Sequence, residues 1–507
     1  MSTSRIAAAL AVALALAACS TPPVRERPPL PASYFTAADG ASAPADPADP
    51  AVLARWWQTF DDPLLSELVD TALHRNLDQQ AALAQLRTAR AQLRQSRAAL
   101  SPQLDLAGQA SRQIIDTDAL ADTPIGEQLD VGGDVNFDTW QLALQANWEI
   151  DLFGANRLRR DGAVRQVQSA EAQLVAVRLA VASNLAQGYV QARALLAQKS
   201  LLDEAVRLAR ESERVADGRF RLGEVTRLDI EAAGAQRAGL EAQRGDIEAA
   251  LAEATFALDT LIDRPPGTVR ARMGEDTRVP RAEGEIPPGQ PVDLLRRRPD
   301  VIAAAAGLDA AELAALASRR DLFPKLGVSA ALGRSGLAVG DLSGASDLRS
   351  LAAQLGLPWL DFGASRAAID LADAQADAGF VELRRALATA LQEVETASAQ
   401  LSARQAQRNA RGEALERAQR TRAMARRTYE VGLANLSDLL DAERALLDAR
   451  QQALDTNRAF ALAQISLYTA LGGGWSVPRD AAPAEAVRST AETVPDRIRA
   501  PSVPREN

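Results

Sequence analysis

Cysteine and histidine are nearly missing from this 507-residue chain, which has one of each, Cys19 and His74. A zinc site built from Cys and His needs several such ligands, and an intrachain disulfide needs a second thiol. Both are excluded, and His74 reads as a surface helix residue rather than a ligand. Aromatic residues are only 4% of the chain. There is no G-x-x-x-x-G-K-[ST] phosphate loop, no G-x-S-x-G elbow and no metal-ligand cluster. No enzyme activity and no cofactor are therefore expected. A formal charge of −9 leaves no basic footprint for nucleic acid. Beyond residue 18 no stretch is continuously apolar for 18 residues, so any crossing of a membrane falls to β-strands closed into a barrel.

What the chain does have, it has twice. Arg75–Leu104 aligns without gaps on Arg297–Leu326, with 12 of 30 positions identical. Later landmarks recur at an offset of 209: Phe153-Gly154 returns as Phe362-Gly363, and Gly223 as Gly432. The difference between the two offsets is absorbed between Leu104 and Phe153, as a loop absorbs it. A repeat this long is an internal duplication giving two similar halves, not a solenoid period of ~20–50 residues.

The one cysteine sits at a telling place. Arg5 precedes the apolar run Ile6–Ala18, and Leu16-Ala17-Ala18-Cys19 follows the pattern of a bacterial lipobox. Cys19 is expected to be acylated and to begin the mature chain, with Ser20 rather than Asp beside it favouring the outer membrane. Residues 19–50, rich in Pro, Ala, Ser and Asp, read as a lipidated tether.

Two periodicities follow. From Pro63 to Ala99 the apolar residues Leu64, Leu68, Ala72, Leu83, Leu86, Ala89 and Leu93 keep helical spacing. Trp140, Leu142, Leu144, Ala146, Trp148 and Ile150 then alternate with polar residues, as a membrane strand does. Its partner is Gln103–Gln113. The second half offers Leu326–Gly333 and the alternate positions Leu351 to Trp359, with a polar loop expected from Arg334 to Arg349. Trp140, Trp148 and Trp359 are candidate membrane-interface aromatics. After each hairpin comes a long breaker-poor tract, Ala155–Asp217 and Ala364–Arg427, then a Gly-bearing turn and a returning helix, Arg227–Ile262 and Leu436–Leu471. Such lengths belong to coiled assemblies. Four strands cannot close around a lumen, since small membrane barrels begin at about eight. Three copies would supply twelve.

These features together resemble the TolC-like outer membrane factors, in their lipoprotein (NodT-type) branch. The residues that carry the resemblance are Trp56–Leu64 (WWQTFDDPL), Ser101-Pro102, Phe323-Pro324, Arg298-Pro299-Asp300-Val301, Trp148–Gly154 (WEIDLFG), Asp361-Phe362-Gly363 and the turns at Gly223 and Gly432. The resemblance implies a mixed α and β fold: a homotrimer with a long coiled α-helical barrel and a transmembrane β-barrel of four strands per protomer. It implies a passive exit duct of a tripartite efflux system, served by a periplasmic adaptor and an inner-membrane transporter and seated in outer membrane lipid. A protein-secretion duct and a periplasmic coiled-coil structural lipoprotein are the alternatives.

On this plan residues 1–18 are a signal peptide, and 51–63, 263–291 and 472–507 are connectors. Residues 64–101, 154–262, 292–323 and 364–471 form the helical barrel, and 102–153 and 324–363 the hairpins. The family also implies a gate at the helix turns. Tyr429 is expected to hydrogen-bond Asp229, while Ala434 replaces an Arg that joins this network in some members. Asp438 and Asp441, on one helix face, are expected to place six carboxylates around the entrance of a trimer. Without the resemblance, Gly223 and Gly432 are helix caps, and Asp229 and Asp438 are residues favoured at helix N-termini.

Overall fold

The computed structural model describes residues 31, 34–35, 49–116, 134–284, 286–287, 290–339, 342–358, 361 and 363–475. Cys19, Trp359 and Phe362 lie outside the described residues. Along the described chain run α1 (Pro50–Ala54), α2 (Pro63–Arg75), α3 (Leu77–Ala98), β1 (Gln103–Asp116), β2 (Asp134–Ile150), α4 (Ala155–Arg221) and α5 (Arg227–Leu261). Then follow α6 (Thr268–Met273), α7 (Leu294–Arg297), α8 (Pro299–Arg320), β3 (Lys325–Val339), β4 (Leu342–Gly356), α9 (Ala364–Glu430) and α10 (Leu436–Ala470). The elements come in equal pairs: α3 and α8 have 22 residues each, α4 and α9 have 67, α5 and α10 have 35.

The expected single helix from Pro63 to Ala99 is two. It breaks at Asn76, whose φ of −56° and ψ of 136° lie outside the helical region. Asn76 ends α2 and, through Oδ1, accepts from the Gln79 N–H at 3.1 Å to start α3. The connector 263–291 also holds more structure than its prolines suggested. The buried carboxylate of Asp259 accepts from the N–H groups of Gly267 at 2.6 Å and Val269 at 2.8 Å, and so docks α6 onto the end of α5.

The four strands form one antiparallel sheet in the order β1-β2-β3-β4. The polar loop expected from Arg334 to Arg349 is instead strand: β3 runs on to Val339 and β4 begins at Leu342. Charged and small residues fill one face there, while Ser335, Gly344 and Ser346 interrupt Leu337, Val339, Leu342 and Leu348 on the other, so the period-2 apolar signal is broken, yet the ladder continues unbroken from Lys325↔Gly356 to Val339↔Leu342. β1 and β2 likewise extend beyond their apolar cores, to Asp116 and from Asp134.

Among the described residues one helix, α8, is long and apolar enough to cross a membrane by length and composition, with a mean hydropathy of 1.6. Its alanines give that value. Asp309 lies 3.7 Å from Arg165, Arg319 pairs with Asp373 at 2.8 Å, and the Ala303 carbonyl accepts from Ser169 Oγ at 3.1 Å, so α8 packs against α4 and α9.

The described chain falls into two compact units: Ala84–Glu171 with Ala303–Arg384, and the residues up to Leu83 with Ala172–Ile302 and from Arg385 onward. The second unit has an aromatic core in which Trp56 meets Trp57, Phe60 and Tyr468 at 5.6–5.9 Å. Beside it Tyr189 donates to Asp62 at 3.0 Å. Arg193 donates to the Tyr189 hydroxyl at 2.8 Å and to the Met273 carbonyl at 2.9 Å. These polar groups are buried and all have partners, as burial demands. The first unit carries the sheet and the starts of α4 and α9. Asp151 accepts from the N–H groups of Asn156 and Arg157, and Asp361 from those of Gly363 and Ser365. The Asp of both family motifs is therefore the cap of a 67-residue helix.

Candidate functional site: the sheet face and the helix turns

Directly opposed residues of an antiparallel ladder share a face. Trp140, Leu142, Leu144, Ala146, Trp148 and Ile150 of β2 thus share theirs with Leu104 and Leu106 of β1, Leu326 to Leu332 at every second residue of β3, and Leu351, Ala353 and Leu355 of β4. Its large side chains are exposed in the single chain. The opposite face carries Gln103, Asp105, Gln109, Gln141, Gln145, Asn147 and Gln354. This apolar-out, polar-in division is what a barrel with a wet lumen requires. Trp148 stands near one end of the apolar face, its Nε1 donating to the Leu100 carbonyl at 3.1 Å. Trp140 stands toward the other end, over Gly336: a Cβ added there would lie 2.1 Å from the indole Nε1.

The two turns that join the long helices are built alike. Gly223 and Gly432 have φ of 77° and 76°, open to glycine without cost. The Gly223 N–H donates to Phe220 O at 2.9 Å, and the Glu224 N–H to Arg219 O at 3.0 Å. The Gly432 and Leu433 N–H groups repeat this to Tyr429 O and Thr428 O. Both are Schellman motifs, which satisfy the last carbonyls of α4 and α9. Each returning helix then starts on an Asp at its third position. Asp229 accepts from the N–H of Thr226 at 2.8 Å and from its hydroxyl at 2.7 Å, and the hydroxyl, then the N–H, hold its carboxyl below the usual range. Asp438 accepts from the N–H of Asn435 at 3.1 Å.

The expected Tyr429–Asp229 hydrogen bond is not made within the protomer. Asp229 is occupied at its own helix start, and the Tyr429 hydroxyl is buried without a partner among the described residues. The Tyr429 ring is the anchored part. It is 7% exposed, packs with Ala216, Leu439 and Leu440, and lies under the Arg219 guanidinium at 4.3 Å. Asp441 pairs with Arg444 at 3.1 Å, and Asp438 and Asp441 are both exposed in the single chain.

A further charged pair went unseen in the sequence. Arg422 of α9 donates to Glu443 of α10 at 3.3 Å, with side chains only 21% and 15% exposed. Burial pushes the Glu443 carboxyl up, against the pull of Arg422 and Arg426. The pair lines two neighbouring cavities of about 190 and 250 Å³ between the helices that approach the turns. A contact between residues 21 apart on two helices leaves no local signal; only the apolar spacing around them was readable.

Sheet face, paired long helices and matched turns define the class. The chain belongs to the Outer membrane efflux protein family, whose profile matches residues 68–263 and 291–473. It is 29% identical over 469 residues to the pyoverdine export outer membrane protein OpmQ of Pseudomonas putida, covering 92% of this chain and 97% of that protein. With the outer membrane protein OprJ of Pseudomonas aeruginosa it shares 30% over 492 residues, covering 93% and 96%. Its fold is similar to that of the outer-membrane channel OprN, with a TM-score of 0.77 at 26% identity over 90% of this chain and all of that one. The chain is an outer membrane efflux channel, not an enzyme.

Proposed function

We propose that three copies of this chain close into one tube, a passive exit duct that takes small molecules from an inner-membrane pump and a periplasmic adaptor to the outside. The observation that carries this is the sheet: four strands with an apolar face and two unpaired edges, at β1 and β4. Unpaired edges are intolerable in lipid, and four strands enclose no lumen. Three copies join every edge and give a twelve-stranded barrel continued by α3, α4, α5, α8, α9 and α10 as a helical tunnel. The paired element lengths support a duplicated unit within each chain. Cys19 anchors the chain through acyl groups, which the intact mass of the mature protein tests.

Asp438 and Asp441, three-fold repeated, form an acidic entrance, with Asp441 tempered by Arg444. OpmQ is by name a protein of pyoverdine export; for this chain the cargo class is small molecules rather than secreted polypeptide. The mass of the detergent-extracted protein should be that of three chains, and planar bilayers should show a cation-preferring conductance that weakens in Asp438→Asn with Asp441→Asn. A monomer stably inserted in bilayers refutes the closure argument. Unchanged ion preference in the double variant removes the acidic entrance.

A further inference from the structure

On the apolar face of the sheet, the four strands meet their first charge at three different heights. On β1 and β2 the first are Arg112 and Asp138, opposed and joined through Arg112 Nε at 2.7 Å. On β3 it is Arg334, opposite Leu142, and on β4 it is Arg349, in the row of Leu332 and Leu144. The boundary therefore steps down the sheet from β1 to β4. Barrel strands tilt by ~35–45°, so a level line in the membrane crosses the ladder as such a staircase. Long arginine side chains reach along the surface to even out what remains. The charges mark one level, at the side of the apolar band nearer the hairpin turns and away from α3, α4, α8 and α9.

At that level β3 and β4 carry a particular group. Arg334 lies 3.4 Å from Asp347, and Arg349 lies 3.6 Å from the same carboxylate. Two guanidiniums thus converge on one acid and leave a net positive charge. All three side chains are well exposed, Arg349 at 76%. Below them on the same face stand Leu332, Leu142, Leu144 and Leu351. A charge on a lipid-facing strand is costly unless it meets a headgroup. Guanidiniums bind phosphate bidentately and better than an ammonium does. Leucines below and arginines above fit an amphiphile with acyl chains and a phosphorylated head.

We propose that Arg334 and Arg349, two guanidiniums gathered about the single carboxylate of Asp347, bind a phosphate of the phosphorylated glycolipid of the outer leaflet. This rests on the reading of the sheet as a lipid-facing barrel wall. The full-length protein in detergent is incubated with bis-phosphorylated lipid A, with dephosphorylated lipid A, or with inorganic phosphate, and bound lipid is read by native mass measurement. Wild type should retain bis-phosphorylated lipid A and discriminate against the dephosphorylated form. Arg334→Gln with Arg349→Gln should weaken retention about tenfold, and Asp347→Asn should strengthen it, because the competing carboxylate is gone. A merely structural ion cluster would give weaker binding in Asp347→Asn.

Equal retention in wild type and the double Gln variant overturns the proposal, as does equal retention of dephosphorylated lipid A. Displacement by millimolar inorganic phosphate overturns the commitment to a lipid. Bilayer conductance of the same preparations separates the two readings: an open channel without lipid A selectivity sinks this site alone, while failure of wild type to form a channel sinks the barrel. Arg334→Lys with Arg349→Lys, which keeps the charge, guards against misfolding by retaining partial binding.

Discussion

Replacing Tyr429 tests whether its ring or its hydroxyl holds the helix turns. The ring is 7% exposed and fills the space between Ala216, Leu439 and Leu440 under the Arg219 guanidinium. Truncating a buried aromatic to Ala costs about 3–5 kcal/mol, and losing the cation–π contact costs roughly 0.5–1 kcal/mol more where the cation is partly solvated. If the cost falls on the closed arrangement, Tyr429→Ala shifts the balance toward open by about a thousandfold. The hydroxyl has no partner among the described residues of the protomer. Tyr429→Phe keeps every ring contact and should change the balance by less than about 1 kcal/mol, or roughly fivefold. Single-channel recording in planar bilayers reads both. The expected order is wild type close to Tyr429→Phe, with Tyr429→Ala far more conductive. If Tyr429→Phe opens the channel as much as Tyr429→Ala, the hydroxyl finds its partner on a neighbouring protomer and the packing argument is wrong.

Asp151→Ala and Asp361→Ala each remove the cap of a 67-residue helix and should cost about 1 kcal/mol apiece, seen as lower melting temperatures in detergent; no shift would mean other groups cap these helices. Glu443 is raised by burial, so the native state holds its proton more tightly than the unfolded chain. Its contribution is present below the unfolded value of about 4.3 and lost as pH rises through the raised native value. Glu443→Gln should flatten the melting temperature across that window, and an unchanged slope would assign the pH response elsewhere. Gly336→Ala drives a Cβ into the Trp140 indole, while Gly333→Ala meets backbone, Leu142 O at 2.2 Å. Trp140→Val should restore barrel assembly to the first variant and not to the second, as counted by heat-resistant trimers on gels.

The parts of the fold that were legible were those in which one period persists. The alternation from Trp140 to Ile150 and the long breaker-poor tracts announced a strand with one apolar face and long helices, because burial on one face imposes the pattern over many residues. Where polar and small residues interrupt the apolar ones on both faces of a strand, as between Arg334 and Arg349, the pattern vanishes although the ladder persists, and the sequence reads as a loop. Asn76 ends one helix and starts the next with a single side chain, so apolar spacing ran through it unbroken. At the turns, Gly223, Gly432, Asp229 and Asp438 were legible because cap chemistry is local. The Arg219–Tyr429 stack and the Arg422–Glu443 pair join residues far apart in sequence, and only the folded chain brings them together.

The two halves of the chain meet one main-chain problem with different side chains. The last carbonyl of each returning helix lacks an intrahelical donor. In the first half Asn76 Nδ2 donates to Leu261 O at 3.1 Å; in the second Arg298, which aligns with Asn76, donates to Ala470 O at 3.1 Å. Leu261 and Ala470 end α5 and α10 at equivalent positions. The amide serves that carbonyl and the start of α3. The guanidinium also reaches Asp300 and Glu393, both at 2.6 Å, with its own side chain 8% exposed. Glu393 stands where the first half has Asn184. A neutral pair of positions in one half is thus a charged pair in the other. A buried arginine demands acids, since leaving the guanidinium alone would cost several kcal/mol, and the half-exposed Glu393 is one of the two that Arg298 finds. Were three such chains to close into a ring, neutral and charged ties would alternate around its circumference. Such a tube would have the three-fold symmetry of its protomers rather than the six-fold symmetry that identical halves would give.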